Sequence, residues 1–349
     1  MHIKMSKRNF FKFLLGLSTF IFTSILFPAF LFQRRKATFF KGIALGKTSR
    51  LSSDKISKVV IVRSTRIQGL NGKIDKGTIF QMVDQGVRNL VSKEIYPSAW
   101  KYLFSPQDTV GIKVNCLGGR MFSPHIELID AIIAGLISAN VKQENIIVWD
   151  RLNRELRLSG FTINTGSKGV KCFGTDALGY DRNPEIKGSI GSCFSRIISS
   201  YCNAIISVPV LKDHDLSGVS ISMKNFYGAI HNPNKYHDNN CDPYIADLNS
   251  HPYIKDKLRL IICDGITVEY NGGPGYNPTW LWNYNGLLIA QDPVALDCIG
   301  MGIIEKKRKM MGMESLKQEG REARHIGSAA RLGLGTDRID RIDILNLSV

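Results

Sequence analysis

Ala204-Ile-Ile-Ser-Val-Pro-Val-Leu211 is a short, mainly apolar run, and the chain turns abruptly polar behind it at Lys212-Asp213-His214. A run of this length, rich in Ile and Val, reads as a strand buried on both faces. Such strands belong to mostly parallel sheets, where ligands gather outside the carboxyl ends. The residues that follow, as far as Pro243, are dense in Lys, His and Asn and include SMKNFYGAIHNPNKYH at 222–237. The fold and the site therefore both hang on this segment.

Working outward, apolar patterns mark strands at Lys58–Arg63, Thr109–Val114, Asn145–Trp149, Leu258–Cys263, Leu287–Ala290 and Ile342–Leu345. Helical patterns fall at Thr78–Val91, Ser123–Ser138, Pro293–Lys306 and Ser315–Ala330. The first five elements alternate as βαβαβ, which predicts an α/β three-layer sandwich around a mostly parallel or mixed sheet. No internal repeat or low-complexity linker divides residues 58–349, so they are expected to form a single α/β domain.

The first 36 residues read differently, as a signal or anchor, with 37–57 a linker. Lys4, Lys7, Arg8 and Lys12 precede Phe13–Phe32, twenty residues without a charge. As a hydrophobic helix these would span about 30 Å, the thickness of bilayer hydrocarbon. Ser6-Lys7-Arg8-Asn9-Phe10-Phe11-Lys12 is similar to a twin-arginine export signal, with Lys7 in place of the first arginine. No small-x-small cleavage site is evident. The expected location is the cell membrane, with an uncleaved N-terminal anchor and the main domain periplasmic; the alternative is export with cleavage.

The same segment explains the charge. The formal net charge is +16, but residues 1–53 hold ten Lys and Arg and no Asp or Glu, leaving +6 spread over the rest. No basic run or aromatic–basic platform stands out, so a nucleic-acid partner is not expected. Seven cysteines at irregular spacing, without a CxxC, give neither a disulfide framework nor a zinc or iron–sulfur motif. Dinucleotide, Walker and GxSxG signatures are absent, which disfavours the common nicotinamide enzymes, P-loop NTPases and serine hydrolases.

Polar residues at strand ends carry the chemistry. In Val110-Gly-Ile-Lys-Val-Asn-Cys116, Lys113 and Asn115 alternate with apolar residues, so they share one face, and Gly118-Gly119 follow as a candidate anion nest. Lys212 and, twelve residues on, Lys224 with Asn225 offer ammonium and amide donors suited to a phosphate or carboxylate. His214 is the candidate acid–base group. His231, His237 and Cys241 lie within eleven residues and offer nitrogen and sulfur ligands for a divalent zinc or iron ion. Asp264 ends a strand ahead of Gly265, and Asp297 sits inside an apolar helix where a carboxylate needs a partner.

In this order, the Lys and Asn of VGIKVN, PVLKDH, SMKNFYGAIHNPNKYH, DGI followed by GGPG, and AQDPVALD resemble the domain-of-unknown-function 362 family over roughly Lys58–Gly335. The resemblance implies a prokaryotic protein, often with a twin-arginine-like signal; some members carry ferredoxin segments, whose cysteines this chain lacks. The reading that follows is an exported or membrane-anchored, metal- or anion-dependent, redox-linked enzyme. In it His214, Lys212 and Lys224 are catalytic. Lys113, Asn115, Asn225, Asp264 and Asp297 bind the cofactor, and His237, Cys241 and His231 bind the metal. Its partners would be an anionic small molecule or a redox partner, and the membrane through residues 13–32. The alternative is a membrane-tethered protein that binds an anionic ligand without catalysis.

Overall fold

A computed structural model describes residues 56–68 and 73–349. The expected signal or anchor, residues 1–36, lies outside the described residues, as does nearly all of the 37–57 linker. Among the described residues, no helix is long and apolar enough to cross a membrane.

The described residues form twelve strands: β1 (Ser57–Arg63), β2 (Val110–Val114), β3 (Ile146–Trp149), β4 (Lys171–Cys172), β5 (Glu185–Lys187), β6 (Ile190–Ser192), β7 (Ala204–Val208), β8 (Val210–His214), β9 (Gly218–Ser220), β10 (Leu258–Glu269), β11 (Leu281–Ala290) and β12 (Ile342–Ser348). Ten of them make one sheet, ordered β12-β1-β11-β10-β7-β2-β3-β4, with β8 and β9 attached beside β10. All neighbours run parallel except β11, which opposes β1 and β10, and the β8–β9 pair. The sheet is thus mixed and mostly parallel, and β5–β6 is a separate hairpin.

Burial on both faces explains the continuous apolar runs. Along β1, Val60 and Val62 pack into one core while Val59 and Ile61 pack into the other, and β7, β10 and β11 alternate in the same way. The first core is covered by helices α1 (Lys76–Val91), α2 (Tyr96–Leu103) and α3 (Ile126–Ser138). α1 begins where the Asp75 carboxylate accepts the Thr78 N–H at 2.7 Å. Its apolar stripe Ile79, Met82, Val83, Val87 and Leu90 faces the sheet. At Gly86 the approach is so close that a Cβ would lie 2.2 Å from Ile289. The second core is closed by α4 (Tyr244–Asn249), α5 (Pro293–Met310), α6 (Arg324–Arg331) and the chain from 221 to 241.

Two expected elements differ. The run 204–211 is not one strand: Pro209 has no N–H to give to a ladder, so the strand divides there. Up to Val208 the chain pairs with β2 and β10; beyond Pro209 it pairs with β10 and β9. The helix expected over 315–330 is present only as α6, because Gly320 takes φ of +75° and the chain turns around it.

Candidate active site at the carboxyl rim

The carboxyl ends of β2, β3, β7, β8 and β10 set polar side chains over the second core. Lys113 projects from the face of β2 opposite Ile112 and Val114, and its Nζ meets Asp150 Oδ1 at 2.7 Å, Val114 O at 2.7 Å and Asn225 Oδ1 at 3.1 Å. The Asn225 amide in turn donates to Lys113 O and to Ser207 Oγ. Asp150 also accepts the N–H groups of Cys116 and Arg151. Gly228 closes over the pair, where a Cβ would stand 2.8 Å from Lys113 Nζ. This corner is buried and its hydrogen-bonding capacity is nearly filled.

Beside it lies a second, less satisfied group. Lys212 is 1% exposed; its Nζ donates to Pro274 O at 2.9 Å and sits 5.5 Å from the centre of the Phe122 ring. Burial lowers its pKa to about 8, with Lys224 pushing the same way against Glu269, Asp150 and Asp213. Lys224 is also buried. Its Nζ contacts His237 Nε2 at 3.1 Å and Cys241 Sγ at 3.7 Å, and lies 4.0 Å from the centre of the Tyr227 ring. Burial lowers its pKa to about 8 as well, opposed by Cys241. Among the described residues, neither ammonium has a carboxylate in ion-pair contact.

Three histidines surround these lysines. The ring of His214 stacks on that of His237 with centroids 5.9 Å apart. Its Nδ1 takes the backbone N–H groups of Leu216 and Ser217 at 3.1 and 3.4 Å. Burial first, then the nearby Lys224, His237 and Lys212, drive its pKa down to about 2. The ring is therefore neutral with its proton on Nε2, and the 2.9 Å approach of the exposed Asp215 carboxylate is not an ion pair. His237 donates from Nδ1 to Pro233 O, which leaves Nε2 to accept from Lys224; burial and Lys224 lower its pKa. His325, on α6, is fully buried with neither ring nitrogen partnered, and burial with Lys224 lowers its pKa to about 3.

The structure thus brings together Lys113 with Asn225, and Lys212, His214, Lys224, His237 and Cys241. Other expected residues lie elsewhere. His231 is exposed and packs edge-on against Tyr180, with ring centroids 6.0 Å apart. Asn115 occupies the turn after β2, where its side chain lies 3.4 Å from the Leu117 N–H. Asp264 accepts both the backbone N–H and the ring Nδ1 of His125, at 2.9 and 2.8 Å, and the N–H of Ile266. Asp297 accepts from Ser222 N, Ser222 Oγ and Met223 N. Burial raises its pKa to about 7 against those hydrogen bonds. Its place is under the 221–223 turn that presents Lys224.

A divalent metal does not fit His237 and Cys241 as they stand. The Lys224 ammonium already contacts both donor atoms, and burial raises the Cys241 pKa although Lys224 opposes it. Among the described residues, no group of three or more His, Cys, Asp or Glu is arranged to hold a metal ion.

Several members of the site were not singled out from sequence. Asp150 directly follows the apolar run Ile146–Trp149, the same signal that picked out Lys212. His125 precedes α3 in Ser-Pro-His. Glu269 ends β10 fully buried; Oε1 accepts the Asn277 N–H at 2.8 Å, while Oε2 has no partner. Burial, aided by Asp213, raises its pKa to about 7 against Asn277 and Lys212. Asp213, on the other side of β8, binds Gly273 N and the Arg321 guanidinium. That contact holds down the Gly272-Gly273-Pro274-Gly275 loop, and at Gly273 a Cβ would stand 2.3 Å from Asp213 O. A cleft of about 520 Å³ is lined by Asp242, Cys298, Met301, Leu316, Ile326 and Arg331 among others, and by none of the site lysines.

No curated protein matches the sequence. Residues 110–302, from the start of β2 into α5, match the family model described as domain of unknown function (DUF362). That match takes in more than half the chain and every lysine of the rim, and the protein therefore belongs to the DUF362 family.

Proposed function

We propose that this chain is an enzyme acting on an anionic small molecule at the carboxyl rim. One observation carries the reading: Lys212 and Lys224 are buried without a carboxylate partner, whereas the neighbouring Lys113 has one. A buried ammonium without counter-charge is costly, and a bound anion supplies what is missing. In this reading Lys212 and Lys224 hold the anion. His237 positions Lys224 by accepting its hydrogen bond, and His214 transfers a proton to or from the substrate. An anion offsets the field of the two lysines, so its arrival raises the His214 pKa and readies the ring for acid–base work. The stacking of His214 on His237 beside both lysines favours turnover over simple retention of a ligand.

Thermal melts with phosphate, sulfate and short carboxylates test this. A ligand that binds only the folded state stabilises it by about 2.7 kcal/mol at one hundred times its Kd. Wild type should gain in this way with at least one of these anions. Lys212→Met and Lys224→Met should lose the gain while remaining folded. An anion response untouched by both substitutions would sink the reading.

We also infer that Phe13–Phe32 anchors the protein in the membrane, with the rim domain outside the cytoplasm. Support comes from the charge-free stretch and the twin-arginine-like residues before it. The full-length chain should then stay with membranes through a high-salt wash, which strips electrostatic attachments only. Recovery of a shortened soluble species would show cleavage instead.

A further inference from the structure

The geometry points to a substrate that carries a hydrogen-bond donor, a hydroxyl or ammonium, near its anionic group, with Glu269 Oε2 as the acceptor. This rests on the anion reading above and adds the second half of the ligand. Glu269 and Lys212 are register partners on adjacent parallel strands, so their side chains share a face of the sheet. No ion pair joins them. Lys212 turns to Pro274 O, and Glu269 is held through Oε1 by the Asn277 N–H. Both contacts come from the loop between β10 and β11, which fixes the two side chains without pairing them.

What remains is an unmatched donor and an unmatched acceptor on one face of the same rim. Buried carboxylate oxygens ordinarily have partners, and Glu269 Oε2 has none among the described residues. A plain anion would satisfy Lys212 and leave that oxygen orphaned. An anion with a hydroxyl or ammonium group satisfies both. The raised pKa of Glu269 agrees with a carboxyl awaiting a donor. The charged neighbours that bear on it are Lys212 and Asp213 of β8, the latter neutralised by Arg321.

Calorimetric titration with propionate, lactate, 3-hydroxypropionate, alanine and β-alanine tests this. A hydrogen bond to a charged group is worth about tenfold to a hundredfold in affinity. At least one donor-bearing acid should therefore bind wild type more tightly than propionate by about that factor. Glu269→Leu should bring the ratio to near one while keeping propionate affinity. Glu269→Gln, which retains an acceptor oxygen, should restore part of the preference for hydroxy acids but not for amino acids. If Glu269→Leu does not fold, lactate against alanine in Glu269→Gln carries the test. Equal affinities in wild type, or a preference that survives in Glu269→Leu, would overturn the inference and leave the anion reading standing. Failure of every acid and of phosphate to bind wild type would overturn both.

Discussion

Lys113 and Lys212 leave neighbouring parts of the sheet at its carboxyl rim and are equally buried, yet their surroundings differ. Lys113 Nζ has three oxygen acceptors, one of them the Asp150 carboxylate, and Gly228 seals the contact. Lys212 Nζ has one carbonyl and the face of a phenyl ring. Residue type and burial are the same, so neither separates a structural lysine from a ligand-binding one. The separation lies in how many of the ammonium's three donors the protein itself satisfies. By that measure the β2–β3 corner is a brace, and the β8 side with Lys224 is where the proposed anion would bind.

The sharpest way to break the comparison is to strip each side of its charge. Lys113→Met leaves the Asp150 carboxylate buried with backbone N–H groups alone, and breaking such a pair costs about 3–5 kcal/mol. Urea denaturation should show a loss of that order, and a loss below about 1 kcal/mol would mean that Lys113 is no brace. Lys212→Met and Lys224→Met should behave in the opposite sense. Removing an unpaired buried ammonium should leave the ligand-free protein unchanged or more stable by about 1 kcal/mol. The sign with pH follows from a folded pKa near 8 below the usual 10.5. Wild type loses stability as pH falls from about 10.5 to about 8, because only the unfolded chain takes up the proton freely. The advantage of either variant should grow over that window and then level off.

A smaller effect belongs to Glu269, whose charge Lys212 and the Asn277 N–H partly compensate. Its folded pKa of about 7 stands above the usual 4.5, so the folded state holds a proton that the unfolded state has released. Wild-type stability therefore falls from about pH 4.5 to about pH 7. Glu269→Gln should remove that part of the slope, and parallel stability–pH curves for the two proteins would show that Glu269 is solvated like a surface carboxylate.

Much of this arrangement is legible in the chain, because burial on both faces writes itself as apolar runs. β1, β2, β3, β10, β11 and β12 all fall within or overlap the runs read from sequence; Lys113 lies within such a run, Lys212 directly behind one, and Lys224 and Asn225 stand out in the polar stretch that follows. What escapes is pairing across long sequence distances. Nothing near Asp264 announces that His125, 139 residues away, will take its carboxylate, or that Asp297 will reach 75 residues back to Ser222. His237 and Cys241 look like metal ligands while the loop is read alone. Only the folded chain brings Lys224 against both. His231, six residues earlier than His237, is carried away because the intervening turn points it toward Tyr180.

The break at Pro209 reaches further than one missing rung. β2 ends opposite Val208, so the chain beyond Pro209 has no further β2 residue to pair with and leaves the place where Asn225 spans Lys113 and Ser207. The chain stays beside β10, where Pro209 O receives the Asp264 N–H, and it takes β9 as its other neighbour. The course of the backbone at the rim is thus set by main-chain bonding and not by the polar side chains gathered there. A change in those side chains leaves in place the main-chain path that presents them.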